Sequence, residues 1–538
     1  MVLSTSEGLD VMLSRRALAA VVVLALTGAT LVVWRTAPAA GALAYRSIVG
    51  SGSTWGAGAI SQWTSDAWQD GLTAHYVPTG AAVGRREFRQ GLVDFAVSEL
   101  PYGLTNAQGE YDAPPSRPFA YLPVLARETA LTYNITVAGR RVTDLRLSGE
   151  SVTKIFTGVI RRWNDPLLQQ DNPGIALPDQ AITRVVRSDT SGTTHQLSAW
   201  MASEHPLLWD AYCRSTSLDP DGGCGPVATW PQDPGTIAVA GSTGVSAYVA
   251  GSSGSGAISY VERQYTLNAK LPVAKLLNSS GFHVAPTPEA VGIALMSARI
   301  DDDASKRVTH MTQILDGVYR STDPRSYPLS AYAYAIVPTA EGGTFTAETG
   351  RSLGRFLRYG ICDGQSYLGP LGYAGLPVNL VEEGMKRLRL VPGVDAASLT
   401  LNGCSNPAIG ADGTDTLSLT APYPPTCDRA GPTQCGAGGP TSTAPPVSVL
   451  PASPEAEGLM RALAGALPGL TVAGVDRSGG TFTLPACQQG PVPLPASSRD
   501  EEAMLAGLEY RAVSGATVAP LPSACRPMAV TTTTRRAP

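Results

Sequence analysis

Between Tyr45 and Val394, short β-rich runs alternate with helical stretches, and few architectures accept that order. The β-rich runs are Tyr45 to Val49, Val93 to Val97, Ala130 to Val137, Ile182 to Val186, Gly256 to Val261 and Ala331 to Val337. Helical stretches include Ala57 to Asp70, Gly84 to Gly91, Ser151 to Thr157, Thr194 to Met201, Pro288 to Arg299 and Ser352 to Arg358. This pattern predicts an α/β fold with largely parallel sheets. A unit of roughly 350 residues exceeds one ordinary core and divides into two lobes with a cleft between them. Ligands of open α/β sheets sit beyond the carboxyl ends of the strands, so the turns that follow strands are where function is sought first.

One such turn is Arg187-Ser188-Asp189-Thr190-Ser191-Gly192-Thr193-Thr194, between the apolar-alternating run Ala181 to Val186 and an amphipathic stretch. Hydroxyls flank a glycine where backbone N–H groups lack helical partners, and Arg187 supplies a fork suited to a tetrahedral oxyanion. Taken alone, the same residues equally describe a capped helix with Arg187 paired to Asp189. Gly50-Ser51-Gly52-Ser53-Thr54-Trp55-Gly56 is a second glycine-rich strand-to-helix turn, able to expose N–H groups and the Thr54 hydroxyl. Pro78-Thr79-Gly80-Ala81-Ala82-Val83-Gly84 opens a further helix after the extended run Ala74 to Val77, and Val93 to Glu99 ends a strand with an acid.

In order and spacing these segments resemble the periplasmic phosphate-binding protein of the phosphate ABC transporter, the PstS type. The family's G-A-G-A-T-F resembles Gly50 to Trp55, its V-D-F-G-A-S-D resembles Val93 to Glu99, and its R-x-D-G-S-G-T resembles Arg187 to Thr193. Lys154 to Asp165 and Gly256 to Glu262 resemble two further family motifs, and the likeness runs from about Ser47 to Leu390. The resemblance implies a two-lobed, type II-like periplasmic-binding-protein fold with a hinge, closing on phosphate. Lobe one would span roughly 45–128 and 325–394, and lobe two roughly 129–324. Thr54 would donate its hydroxyl and N–H, and Trp55 stands where the family offers a Phe backbone N–H. Arg187 would make the bidentate contact with Asp189 holding its guanidinium, and Ser191, Gly192 and Thr193 would supply the helix N-terminus. Two positions depart from the pattern: a family Ser falls on Ala81, which leaves only an N–H, and the family's proton-accepting Asp falls on Glu99. A carboxylate accepts only from a protonated oxyanion, so it favours hydrogen phosphate over fully ionised sulfate.

The remaining sequence bounds where such a protein works and with what. Arg15-Arg16, the uncharged run Ala17 to Trp34, and a small-residue tract from Ala37 to Ala44 form a signal peptide or signal anchor over 1–44. Membrane contact is expected through that segment if it stays uncleaved. The protein is thus expected outside the cytoplasm, secreted, at the cell surface or anchored. A net charge of −4 spread over both signs provides no basic face for nucleic acid. Eight Cys, all beyond the leader, suit disulfides, and proximity suggests Cys213–Cys224, Cys362–Cys404, Cys427–Cys435 and Cys487–Cys525. The five His show no zinc spacing, so neither metal nor cofactor is expected. Residues 395–538 turn rich in Gly, Pro, Thr and Ser and read as a disulfide-stapled extension of unknown fold. The expected function is an exported solute-binding protein that binds inorganic phosphate for an ABC-transporter permease. The alternative is a membrane-anchored or wall-associated phosphate-sensing module not coupled to transport. An enzyme is not expected: no nucleophile-elbow motif surrounds Ser191, and nothing in the sequence orients His195 as its base.

Overall fold

The computed structural model describes residues 45–435 apart from 106–109, 217–224, 232 and 307, together with two short strands at 473–475 and 481–483. The expected leader, the Cys487–Cys525 pair and most of the extension lie outside the described residues.

The first lobe is built on a five-stranded sheet. Its strands are β1 (Ile48–Gly52), β2 (Ala74–Val77), β3 (Phe95–Ser98), β4 (Phe119–Glu128) and, late in the chain, β9 (Ser330–Pro338), in the order β2-β1-β3-β9-β4. Two helices connect the first three strands: α1 (Ala57–Gln69) and α2 (Ala81–Gln90). The second sheet has the order β7-β6-β8-β5, from β5 (Ala130–Tyr133), β6 (Thr183–Arg187), β7 (Thr236–Val239) and β8 (Ala257–Val261). Around it lie α3 (Gly192–Glu204), α4 (Gly241–Ala250) and α5 (Arg263–Asn268).

The expectation of largely parallel sheets holds only where a helix intervenes. β1 pairs in parallel with β2 and β3, and β6 with β7 and β8. β9 runs antiparallel to β3 and β4, and β5 antiparallel to β8. The exceptions have one physical origin. β4 passes directly into β5 across Thr129, so the chain leaves one sheet and enters the other without a helical crossover, and β9 returns beside it. The Thr129 N–H donates to Leu329 O at 2.9 Å, and the Tyr327 hydroxyl donates to Thr129 O at 2.9 Å. These two adjacent crossings form the hinge.

β4 itself escapes a periodicity reading. Its sequence Phe-Ala-Tyr-Leu-Pro-Val-Leu-Ala-Arg-Glu is buried almost throughout, so it does not alternate, and it contains Pro123. A proline lacks the ladder N–H and is accommodated at irregularities; here the pairing register shifts between Ala333 and Tyr334, the latter opposite Pro123.

Two charges are buried at the hinge. Arg127 is fully buried: it donates to Trp55 O and, at 3.2 Å, to Gln264 Oε1, and its guanidinium lies 4.1 Å over the Tyr373 ring. Beside it Glu128 Oε1 accepts the Arg263 N–H at 2.8 Å.

Some elements lie elsewhere than the sequence implied. The helix α6 (Pro288–Leu295), within the range expected for lobe two, packs on β4 and β9 of the first sheet. The expected extension begins on the body itself. Leu399, Cys404, Ala408, Ile409 and Leu417 are buried in the main core, and Cys404 is bonded to Cys362 at the end of α7 (Ala347–Ile361). Farther on, the Cys427–Cys435 loop reaches the second lobe. There the fully buried Arg146 donates to Cys427 O, to Thr433 O at 2.8 Å and to Asp428 Oδ1 at 2.9 Å. Two of the expected disulfides are therefore present; Cys213 is also disulfide-bonded, and its expected partner Cys224 lies outside the described residues.

Burial raises the Glu128 carboxyl to about 7, against the lowering effects of Arg127, the Arg263 N–H and the Arg263 charge. A carboxyl that holds its proton more tightly folded than unfolded loses stability as pH rises from its ordinary value to the folded one. Glu128 is thus expected to cost on the order of 2 kcal/mol of stability between pH 4.5 and about 7. Denaturant titrations of Glu128→Gln across that window should show a flatter pH dependence than the parent chain; an unchanged slope would refute the assignment.

Candidate binding cleft

The four turns singled out in the sequence all fall at the ends of strands that face the junction of the lobes. On the first lobe, β1 leads into a single 3-10 turn, Thr54–Gly56, in which the Thr54 side chain is exposed. The Trp55 ring is buried under Arg127, and its N–H, expected to face an anion, is held by Ser53 Oγ at 3.0 Å. The Trp55 carbonyl accepts from Arg127 and, at 2.9 Å, from the Tyr373 hydroxyl, so this residue supports the hinge. Ala81 opens α2 after Gly80, whose φ of +97° only glycine adopts easily, and no side chain caps that helix. The Gly80 N–H donates to Gly52 O at 2.8 Å, which ties this turn to the first.

On the second lobe Arg187 ends β6 with its fork fixed. Nε donates to Asp189 Oδ1 at 2.8 Å, Nη2 donates to Asp189 Oδ2, and Nη1 donates to Ser242 Oγ at 2.8 Å. Each terminal nitrogen keeps one further N–H for a ligand. Asp189 is held in turn by the Gly241 N–H at 2.8 Å. Ser191 is the N-cap of α3 and accepts the Thr194 N–H at 3.4 Å, so its hydroxyl serves the helix as well as the cleft. Gly192 and Thr193 form the buried first turn of the dipole-positive end.

The lobes touch at Glu99. This residue follows β3, is 7% exposed, and lies so close to Gly192 that a Cβ on that glycine would sit 1.7 Å from Glu99 Cγ. Desolvation pushes the Glu99 carboxyl up; Ser53, the residue's own N–H and Arg85 pull it down, and Glu262 pushes it up again. Glu99 Oε2 is buried without a hydrogen-bond partner among the described residues. Arg85, on α2, is itself paired with Asp112 at 2.5 Å and donates to Ser98 Oγ at 2.8 Å.

The geometry brings together Glu99, Arg187, Asp189, Ser191, Gly192 and Thr193, with Thr54 and Ala81 on the adjoining strand ends of lobe one. It also adds residues the sequence reading left without a role. Glu262, at the end of β8, accepts the Thr193 hydroxyl at 2.8 Å, and Ser242 completes the clamp on Arg187. The signals that find them are those already applied to Glu99 and Ser191: an acid at a strand end, and a hydroxyl in a strand-to-helix turn. His195 lies one turn into α3; burial and then Arg85 lower its pKa to about 4, which keeps it neutral. The site sets fixed donors against carboxylate acceptors, a pairing whose chemistry suits a partly protonated oxyanion.

The chain is similar in sequence to known proteins. A family model described as a PBP superfamily domain matches residues 37–363. The phosphate-binding protein PstS2 of Mycobacterium bovis is 31% identical over 311 residues, 57% of this chain and 76% of that protein. The phosphate-binding protein PstS 3 of Mycobacterium leprae is 30% identical over 352 residues, 64% of this chain and 87% of that protein. Among solved structures, an ABC-type phosphate transport receptor from Vibrio cholerae covers 61% of this chain and 99% of its own at 16% identity, with a TM-score of 0.36.

Contact between Glu99 and Gly192 sets how closely the lobes approach. Gly192→Ala is expected to hold them apart, seen as a larger radius of gyration in small-angle scattering, and Glu99→Ala in the same chain should restore compactness. A single variant as compact as the parent would show that the contact does not limit closure.

Proposed function

We propose that this chain, which belongs to the PstS-type phosphate-binding proteins of the periplasmic-binding-protein superfamily, binds one inorganic phosphate between its lobes and presents it to an ABC-transporter permease. The observation that carries the proposal is the Arg187 fork, clamped by Asp189 and Ser242 beside the N-terminal turn of α3, with the Glu99 carboxylate against that same turn from the other lobe. Arg187 and the α3 N–H groups supply donors whose positions are set before the ligand arrives, which reduces the ordering cost of binding. Glu99 supplies an acceptor that only a protonated oxyanion satisfies; sulfate, fully ionised, meets it as a repulsion. Thr54 and the N–H of Ala81 complete the lobe-one side, and Trp55 acts from below through its carbonyl and ring.

Hinge bending across Thr129 and the segment near Leu329 opens and closes the cleft, and the closed form is what a permease reads. Family membership favours this transport role over a surface module uncoupled from uptake. An extracytoplasmic site of action follows from the same membership, with residues 1–44 as cleaved signal or as anchor. Mass spectrometry of the mature N-terminus separates these two. Among the described residues no helix is long and apolar enough to cross a membrane.

Calorimetric titration should give one phosphate per chain with little response to sulfate. Arg187→Ala removes a charge-assisted contact and is expected to weaken phosphate by roughly ten- to a hundredfold. Ala81→Ser returns a hydroxyl to the lobe-one turn and is expected to tighten it by about tenfold. Sulfate bound as tightly as phosphate would refute the role given to Glu99.

A further inference from the structure

Glu262 follows the last residue of β8, is 3% exposed, and belongs to the same cleft. Its Oε1 accepts the Thr193 hydroxyl at 2.8 Å, while Oε2 is buried without a hydrogen-bond partner among the described residues. A carboxylate only accepts. The Thr193 proton is therefore spent on Glu262, and what Thr193 Oγ1 can offer to a ligand is a lone pair. From the opposite lobe, Glu99 Oε2 is an acceptor in the same condition.

The charges around these two groups point the same way. Glu262 faces Arg127 from β4, Arg187 from β6, Tyr265 from α5 and Glu99 from beyond β3. Glu99 faces Ser53 from the first turn, Arg85 from α2, Tyr76 from β2 and Glu262. Of these guanidiniums Arg187 is already paired with Asp189 and Arg85 with Asp112, while Arg127 faces Glu262 and its own neighbour Glu128 and none of them is left for Glu99 alone. A second negative charge on the ligand is poorly compensated here, whereas a second ligand proton finds an acceptor.

We propose that Glu262 is a specificity-determining residue: by taking the Thr193 proton it gives the cleft a second acceptor beside Glu99, so the species held is dihydrogen phosphate. One P–OH donates to the Glu99 carboxylate and the other to Thr193 Oγ1, while the unprotonated oxygens face Arg187 and the α3 N–H groups. The inference rests on the phosphate reading above and adds to it the protonation state of the ligand.

Titrating the full chain with inorganic phosphate on both sides of the second ionisation of phosphate, in two buffers of different ionisation heat, counts the protons that accompany binding. Above that ionisation, affinity is expected to fall about tenfold per pH unit, with about one proton taken up per phosphate. In Glu262→Gln the amide can donate as well as accept, Thr193 regains a proton for the ligand, and both the slope and the uptake should shrink. An unaltered chain that binds phosphate with no proton uptake, or with affinity flat or rising in that range, overturns the proposal. So does a folded Glu262→Gln chain whose pH profile superimposes on the parent. Because the proton count on the unaltered chain decides alone, a variant that fails to fold leaves the test intact. No phosphate binding at any pH would instead defeat the phosphate reading itself.

Discussion

A carboxylate from one lobe lies against bare backbone of the other, and the cleft is organised around that meeting of Glu99 with Gly192. The contact requires a residue without a side chain at the first position of α3, where the first N–H groups also lack helical partners. It further requires that a buried carboxylate keep its solvation by other means, which Ser53 and Arg85 supply in part. What they leave unsatisfied is the oxygen that a protonated ligand would meet. In the proposed function, binding and selection would arise from one arrangement: donors fixed on lobe two, and acceptor capacity left over at the junction.

Hinge and site share atoms, which explains why so much charge is buried between them. The Trp55 carbonyl receives Arg127 and Tyr373, while its N–H is held by Ser53, the neighbour of Glu99. Arg127 also reaches Gln264 on α5, two residues beyond Glu262. A fully buried guanidinium is costly unless it finds partners, and here those of its two terminal nitrogens come from both lobes, while Nε has no hydrogen-bond partner among the described residues. Their positions are therefore coupled to the angle between the sheets.

The strand-to-helix turns were legible because their logic is local. A β-rich run, a Gly or hydroxyl turn and an amphipathic stretch occupy contiguous sequence, as at Ile182 to Met201 and Ser47 to Asp70. What remained hidden was non-local or irregular. β4 has no period because both its faces are covered and Pro123 interrupts its ladder. The direction of β5 and β9 depends on where the chain changes sheets, which no window of residues records. Trp55 could be placed in its turn but not given its partner, since Ser53 takes its N–H only once the 3-10 turn has formed. Glu262 was visible as an acid after a strand, yet its relation to Thr193 spans 69 positions. The packing of Leu417 and Asp428 on the body was likewise beyond a compositional reading that saw Gly, Pro and Thr.

That last segment has a mechanical meaning. Cys404 fastens it to lobe one and the Arg146–Asp428 cluster fastens it to lobe two, with Ala421-Pro422-Tyr423-Pro424-Pro425-Thr426 between. A proline-rich connection is already extended and has little slack to give, since each residue spans at most about 3.3–3.6 Å. The distance by which the two attachment points can part along that edge is therefore limited by the contour length of the segment between them.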